Sequence, residues 1–261
     1  MVNAKKLLSR FYIGLVLLLL YAPLLILIVC SFNKSKARSV WGGFTLHWYR
    51  DLFHNAEVLV ALRTSLLLTV SAALIAVILG TLACIGMSVM GRSGRNLLMN
   101  ITNIPMLNAD IVTGIAIMLL FAHFLTLGFS SMLIAHVTLG VPYVILNVMP
   151  KLRQASKGVY EAALDLGASR IYAFFKVVLP EIFPGIAAGF FFAFTVSMDD
   201  FVVTYFTKGP GINTISTMLY QQLRRGINPQ MYALSTVFLM VILLMLGLVN
   251  RISEKSVVGE L

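Results

Sequence analysis

The sequence predicts an all-α protein that crosses a membrane about six times, and three observations predict it. Of 261 residues, 59% are hydrophobic and 11% charged, with mean hydropathy +0.91; a soluble domain carries roughly 25% charged residues. The apolar residues come in runs near the roughly 20 residues that a helix needs to cross hydrocarbon. The charged residues gather between those runs, most densely at 150–180. Lipid offers backbone groups no hydrogen bonds, so such runs fold as helices packed on helices. The chain reads as one transmembrane domain over 1–261, with a loop at 150–180 inside it.

Each element has its own justification. Lys5, Lys6 and Arg10 precede an apolar run at 11–30. The run is longer than a secretory h-region and has no small-x-small cleavage site, which favours an uncleaved first span kinked at Pro23. Residues 31–55 turn polar and aromatic, with Trp41, Phe44, Trp48, Tyr49 and Phe53, as suits an amphipathic segment at the membrane–water interface. The second span is placed at 62–90, followed by a short loop at 91–96 that carries Arg92 and Arg95. A third span at 97–127 contains Pro105 and Asp110, and a fourth covers 132–149. A fifth at 184–206 carries Asp199 and Asp200, a polar loop covers 208–228, and a sixth covers 231–249. Cys30 and Cys84 both fall in apolar runs, so no disulfide framework or metal-ligand spacing is expected.

Net charge is +10. The basic residues stand in loops beside spans, where anionic lipid and topology explain them more simply than nucleic acid does. With both termini inside, the inner side holds the larger share of Lys and Arg. Its share includes Lys151, Arg153, Lys157, Arg170 and Lys176; the outer side holds Lys34, Lys36, Arg38, Arg50, Arg63, Lys208, Arg224 and Arg225. This bias places the 150–180 loop in the cytoplasm.

An ionisable group inside a span is expensive and marks a functional candidate. There are three: Asp110, Asp199 and Asp200. No Lys or Arg falls in the membrane interior to pair with them. Carboxylates lining a watery path attract cations and repel sulfate or phosphate. At 1.5 Å per residue, Asp110 is expected roughly 20 Å beyond Arg95, near mid-membrane or a little outward. It either lines a path or caps a helix broken after Pro105 and Asn108-Ala109. Asp199 and Asp200 are expected about 100° apart on a helix, so that both cannot face one narrow path equally well. One of them is expected to bond Thr195, Ser197 or a neighbouring helix. His123 and His136 read as packed or hydrogen-bonded bundle residues, since no acid stands near them in sequence.

The 160–180 stretch, YEAALDLGASRIYAFFKVVLP, reads as two short helices joined at Gly167. Lys157, Glu161 and Asp165 recur at intervals of four on one face. Gly167 suits the left-handed position that ends a helix, Ser169 suits the N-cap of the next, and Pro180 is expected to stop it. Small Ala162 and Ala163 would let another backbone approach. A solvated helix lying on the membrane surface is the plainer possibility.

Glu161-Ala162-Ala163, Gly167 six residues after Glu161, Val177 and Leu179-Pro180 together resemble the "EAA" loop of ABC-importer permeases; that family usually has Ile where Val177 stands. The resemblance extends to GFTLHWYRDLF (43–53), NADIVTGI (108–115) and FTVSMDDFVVTYFTKGP (194–210), which look like the PotC-type permease of spermidine/putrescine ABC importers. It implies the type I ABC importer permease fold in a bacterial cytoplasmic (inner) membrane. It also implies a second homologous permease, an ATP-binding cassette ATPase dimer and an extracytoplasmic polyamine-binding protein as partners. Glu161, Ala162, Ala163, Asp165, Gly167, Leu179 and Pro180 would then couple to the ATPase, while Asp110, Asp199 and Asp200 line the substrate path. Trp41 and Tyr143 either add cation–π contacts to cargo or only anchor and pack.

The chain has no Gly-x-x-x-x-Gly-Lys-Ser/Thr phosphate loop. It is expected to be a transport subunit and no enzyme, with no cofactor of its own, ATP and Mg acting in the partner ATPase. Two other functions stay open: a permease for another organic cation, and an ion-coupled secondary transporter. The second is disfavoured by the lack of a visible inverted repeat.

Overall fold

A computed structural model describes residues 2–35, 40–155, 157–225 and 228–258. Lys36 and Arg38, assigned to the outer side from sequence, lie outside the described residues. Twelve α-helices occur among the described residues. They are α1 (Val2–Ser31), α2 (His47–His54), α3 (Ala56–Ser88), α4 (Arg92–Leu107), α5 (Asp110–Phe124) and α6 (Phe129–Gln154), then α7 (Lys157–Asp165), α8 (Arg170–Ala173), α9 (Leu179–Asp199), α10 (Val202–Thr207), α11 (Ile215–Arg225) and α12 (Pro229–Val258). A π-helical segment, Phe174–Val178, joins α8 to α9. The described residues contain no strand, only an isolated bridge between Asn33 and Phe44.

Four helical runs are long and apolar enough to cross a membrane: Arg10–Ser31, Ala56–Ser88, Phe129–Gln154 and Arg170–Asp199. The pair α4–α5 forms a fifth, bent by 104°, and Pro229–Leu244 is a shorter apolar helix. These six elements match the expected number of about six.

Three local expectations are corrected. The expected loop at 91–96 is already helix from Arg92. The third span is not straight: Asn108 and Ala109 are extended, with ψ 152° and 132°, so a rise counted from Arg95 cannot give the depth of Asp110. Pro105 cannot donate to the ladder, which weakens the turn just before the break. Pro180 does not stop a helix, and the fifth span does not begin at 184. The helix runs through Pro180 and Pro184 to Asp199. Within the π segment the Leu179 N–H reaches back to the Phe174 carbonyl, one residue further than in an α-helix. Pro180 follows this wider turn directly, in the first turn of α9, where a missing N–H is least costly.

The chain divides into two compact units, 1–59 with 221–248 and 60–220 with 249–261. In the first, Asn33 organises the segment after α1. Its Oδ1 accepts from the Ser35 and Gly42 N–H groups at 3.0 and 2.8 Å, and its Nδ2 donates to the Val40 carbonyl at 2.9 Å. The Trp48 indole, buried on α2, donates to the Asn33 carbonyl at 2.8 Å. Tyr49 bonds Ser31 at 2.6 Å and packs on Phe32. Trp48 and Tyr49 therefore tie α2 to the end of α1, whereas Trp41, Phe44 and Phe53 remain exposed. Asn55 caps α3, accepting from the Glu57 and Val58 N–H groups, and donates to Gln230 of α12. Replacing Asn33 with Ala removes three part-buried hydrogen bonds, to Ser35, Val40 and Gly42, each contributing about 0.5–1.5 kcal/mol net. The thermal midpoint of the detergent-solubilised chain is expected to fall by about 5 °C or more; an unchanged midpoint would show that the Asn33 network is dispensable.

The second unit is built on α6 packed against α9, the most extensive helix pair among the described residues. Small residues permit the approach. Ala73 and Ala76 of α3, Val144, Ile145 and Val148 of α6, and Ile182 and Ala193 of α9 are all buried in one cluster. Gly189 lies directly over Val144, where an added Cβ would come within 3.1 Å of the Val144 Cα. This contact seats the middle of α9 against the middle of α6.

Candidate functional site

Two helix breaks meet in the second unit and leave a cavity of about 370 Å³. One break separates α4 from α5 at Asn108–Ala109; the other separates α9 from α10 at Asp200–Phe201. Pro105, Met106 and Asp110 line it from the first break, Thr195, Val196, Asp199, Asp200, Phe201 and Val202 from the second, and Leu139 and Tyr143 from α6. Asp110, Asp199, Asp200 and Tyr143, singled out separately in the sequence, are thus brought together. Trp41 belongs to the first unit, with its ring exposed. No Lys or Arg is among the lining residues, and the volume is within the roughly 300–1,000 Å³ of small-molecule sites.

The three acids are not equivalent. Asp110 is the first residue of α5 and is exposed. The N-cap there is Ala109, which makes no side-chain cap, so Asp110 meets the positive helix end only through its charge. Asp199 ends α9 and is exposed. The C-terminal end of that helix adds further negative potential beside it. Asp200 has left the helix, with ψ 121°. The expected 100° separation of the two acids does not apply, because the second is not helical, and both face the cavity.

Asp200, not Asp110, is the capping acid. Its carboxylate accepts from the Val203 and Thr204 N–H groups at 3.2 and 2.8 Å and from the Thr204 hydroxyl at 2.9 Å. Of the expected partners, Thr195, Ser197 or a neighbouring helix, it is the neighbouring helix α10 that bonds Asp200, through Val203 and Thr204. The Thr195 hydroxyl turns back to the Phe191 carbonyl. Ser197 bonds Nδ1 of the buried His136 at 2.7 Å, and His136 Nε2 lies 2.9 Å from the Thr204 hydroxyl and 3.6 Å from the Asp200 carboxylate. His136 is hydrogen-bonded in the bundle, as expected, but it does have an acid beside it. That neighbour is 64 positions away in the chain, and no local pattern announces it. Phe201, also missed, stacks on Tyr220 with ring centroids 4.2 Å apart. Beyond α10, burial lowers the Lys208 ammonium from its ordinary value, and its Nζ donates to Asn213 at 2.7 Å.

The second candidate is the 157–180 loop. Gly167 has φ +88°, and the bonds around it form a full Schellman end: Ala168 N–H to the Ala163 carbonyl at 3.0 Å and Gly167 N–H to Leu164 at 2.9 Å. The Ser169 hydroxyl accepts from the Tyr172 N–H and caps α8. Glu161, Ala162, Asp165, Gly167 and Pro180 are exposed, and Ala163 and Leu179 are half-buried. Apolar side chains stand out beside them: Leu166 is 89% exposed, Ile171 74% and Phe175 58%. Exposed apolar residues at this density mark a contact surface, toward lipid or another protein.

Residues 72–258 match the family described as "Binding-protein-dependent transport system inner membrane component". The chain is 37% identical over 228 residues to the putrescine transport system permease protein PotI of Escherichia coli (strain K12), covering 84% of this chain and 81% of that one. It is 35% identical over 245 residues to the spermidine/putrescine transport system permease protein PotC of the same organism, covering 92% and 93%. A chain from the crystal structure of a bacterial ABC transporter involved in the import of the acidic polysaccharide alginate superposes with TM-score 0.74 over 97% of this chain and 96% of that one, at 15% identity. The shared fold, the matched span and the identity to both permeases lead to one conclusion: the chain belongs to the family of binding-protein-dependent transport system inner membrane components.

Proposed function

We propose that the chain is a permease subunit of an ATP-driven importer of polyamines, spermidine and/or putrescine. The observation that carries this reading is the cavity in which three carboxylates and a tyrosine converge at two helix breaks with no basic residue in the wall. An alkyl diamine or triamine suits such a site. Its ammonium groups exchange water for Asp110 and Asp199, and its methylenes lie against Met106, Leu139 and Val202. Broken helices with polar ends at a membrane site are a recurrent way to hold ions and charged cargo. The names of the two permeases point the same way.

Coupling runs through the other candidate. In this reading Glu161, Ala162, Ala163, Asp165 and Gly167 dock with Leu179 and Pro180 on one subunit of a cytoplasmic ATPase dimer, and the exposed Leu166 and Ile171 lose their contact with water there. ATP and Mg act in that partner. Closure of the dimer moves α7 as a rigid body, and the continuous helix from Arg170 to Asp199 carries the motion to the acids of the cavity. A second homologous permease completes the path, and a binding protein outside the membrane delivers the cargo. The loop lies in the cytoplasm, as do both termini.

The test is uptake of labelled spermidine, with putrescine as competitor, in cells lacking and then regaining this chain beside its partner subunits, with ATP maintained and the proton gradient collapsed. Restored, gradient-independent uptake supports the proposal. Uptake that dies with the gradient favours an ion-coupled secondary transporter, and uptake of only another organic cation removes the polyamine assignment. In the same assay Asp199→Asn is expected to raise the half-saturation concentration about 10- to 100-fold at unchanged protein level. A charged hydrogen bond contributes about 1.5–3 kcal/mol. Asp199 makes no hydrogen bond among the described residues that its loss would break. An unchanged half-saturation would remove Asp199 from the site.

A further inference from the structure

His136 is buried on α6, and the cavity wall described above does not include it. Yet it touches both sides of the α9–α10 break. Nδ1 meets Ser197 in the last turn of α9, and Nε2 meets Thr204 in α10. One proton assignment satisfies every group. The Asp200 carboxylate accepts from the Val203 and Thr204 N–H groups and from the Thr204 hydroxyl, so that hydroxyl oxygen is left to accept from Nε2–H. Nδ1 then carries no proton and accepts from the Ser197 hydroxyl. The result is a directed chain from Ser197 through the imidazole and Thr204 to the Asp200 carboxylate, across the break that turns Asp199 into the cavity.

We propose that His136 is a positioning residue for cation recognition: through Thr204 it fixes Asp200 as the cap of α10, and through Ser197 it fixes the end of α9, so that the break holds Asp199 at the cavity. The inference rests on the reading of that cavity as the cation site. The geometry gives the reason for a histidine. The position needs a donor on one side and an acceptor on the other, about one ring apart, buried inside the bundle. Leu offers neither. Gln keeps a donor at the reach of Nε2. Asp200 then has a role separate from that of Asp110 and Asp199. It is hydrogen-bonded on three sides, and its carboxylate shapes the wall while the other two are free to meet cargo.

The assembled transporter tests this with His136→Leu, His136→Gln and the pair His136→Leu with Asp200→Asn. The Leu variant is expected to raise the half-saturation concentration for spermidine about tenfold, with the maximal rate per inserted molecule within about twofold of the parent. Gln recovers most of the affinity. Because His136 and Asp200 act along one chain, adding His136→Leu to Asp200→Asn costs less than about twofold more. Losses that multiply, or a Leu variant with unchanged half-saturation, overturn the proposal.

A second readout is independent of the cargo. In a chain with Cys30→Ser, Cys84→Ala and Asp199→Cys, a cationic thiosulfonate reagent is expected to label position 199 faster than an anionic one. His136→Leu should lower that ratio about threefold or more, as Asp200 loses its fixed direction. If the parent carries no polyamine, the cargo assignment fails and this ratio alone decides the role of His136. A ratio that does not move overturns it.

Discussion

Replacing Gly167 with Val abolishes uptake while leaving the chain inserted and folded. The cost lies in the backbone. Gly167 has φ +88°, and a Cβ there would meet nothing within 4 Å, so no clash contributes. A left-handed residue with a side chain costs roughly 1–2 kcal/mol, and a branched Cβ is worse. The two Schellman bonds at this turn then lie at the expense of a strained residue. Little opposes the opening, because Leu166 is 89% exposed and supplies no burial. A loss of about 2 kcal/mol lowers occupancy of the turn roughly 30-fold. The partner would have to restore it on every docking event. Gly167→Asn is the informative companion, since Asn tolerates the left-handed region. It should keep most of the uptake, with Ala between. Uptake per inserted molecule, quantified by surface labelling, measures the series. Full uptake with Val would mean that the turn is not the docking shape.

Gly189→Leu has the opposite signature: the chain is lost before transport is measured. At Gly189 an added Cβ comes within 3.1 Å of the Val144 Cα, and at Gly185 within 2.8 Å of the Asn147 carbonyl. Both obstacles are backbone and cannot rotate aside. Overpacking costs about 1–3 kcal/mol where a core can adjust, and a whole Leu between α6 and α9 exceeds that range. The thermal midpoint in detergent should fall by about 10 °C or more, or the protein should fail to accumulate. Gly86 on α3 is the control, because nothing lies within 4 Å of its Cβ position. Gly86→Leu should behave as the parent does. Equal stability of the two variants would show that the α6–α9 contact does not limit the fold.

What was legible in the sequence followed from single-chain physics. Hydropathy gave the number of spans and the rough position of the first four, because lipid leaves a run of 20 apolar residues few alternatives; the fifth begins at Arg170, 14 residues before the expected 184. Gly167 and Ser169 were legible as a helix end and a helix start, since each has a local conformational or hydrogen-bonding reason. The acids set within apolar runs stood out by their cost in lipid. What escaped was set by partners distant in sequence. Asp199 and Asp200 look alike in the chain, and only Thr204 and His136 distinguish them. Asp110 read as either a path residue or a cap, because it follows Pro105 and Asn108-Ala109; the hydrogen-bonded capping role falls to Asp200. Pro180 looked like a stop because a proline ends an α-helix; it stands instead in the first turn of α9, just after the π turn. The depth of Asp110 failed for a similar reason, since a straight rise cannot be counted through a 104° bend.

The π turn at Phe174–Val178 has a consequence for anyone who draws this helix on a wheel. A π turn holds one residue more than the α-helical ladder needs. Residues before Phe174 and after Val178 are therefore out of phase by about 100° relative to one continuous α-helix. Position-by-position accessibility along 170–199 should accordingly follow two sinusoids of the same period with a slip between them. A wheel fitted to the whole stretch would assign the exposed Ile171 and the buried Ile182 to faces that neither occupies.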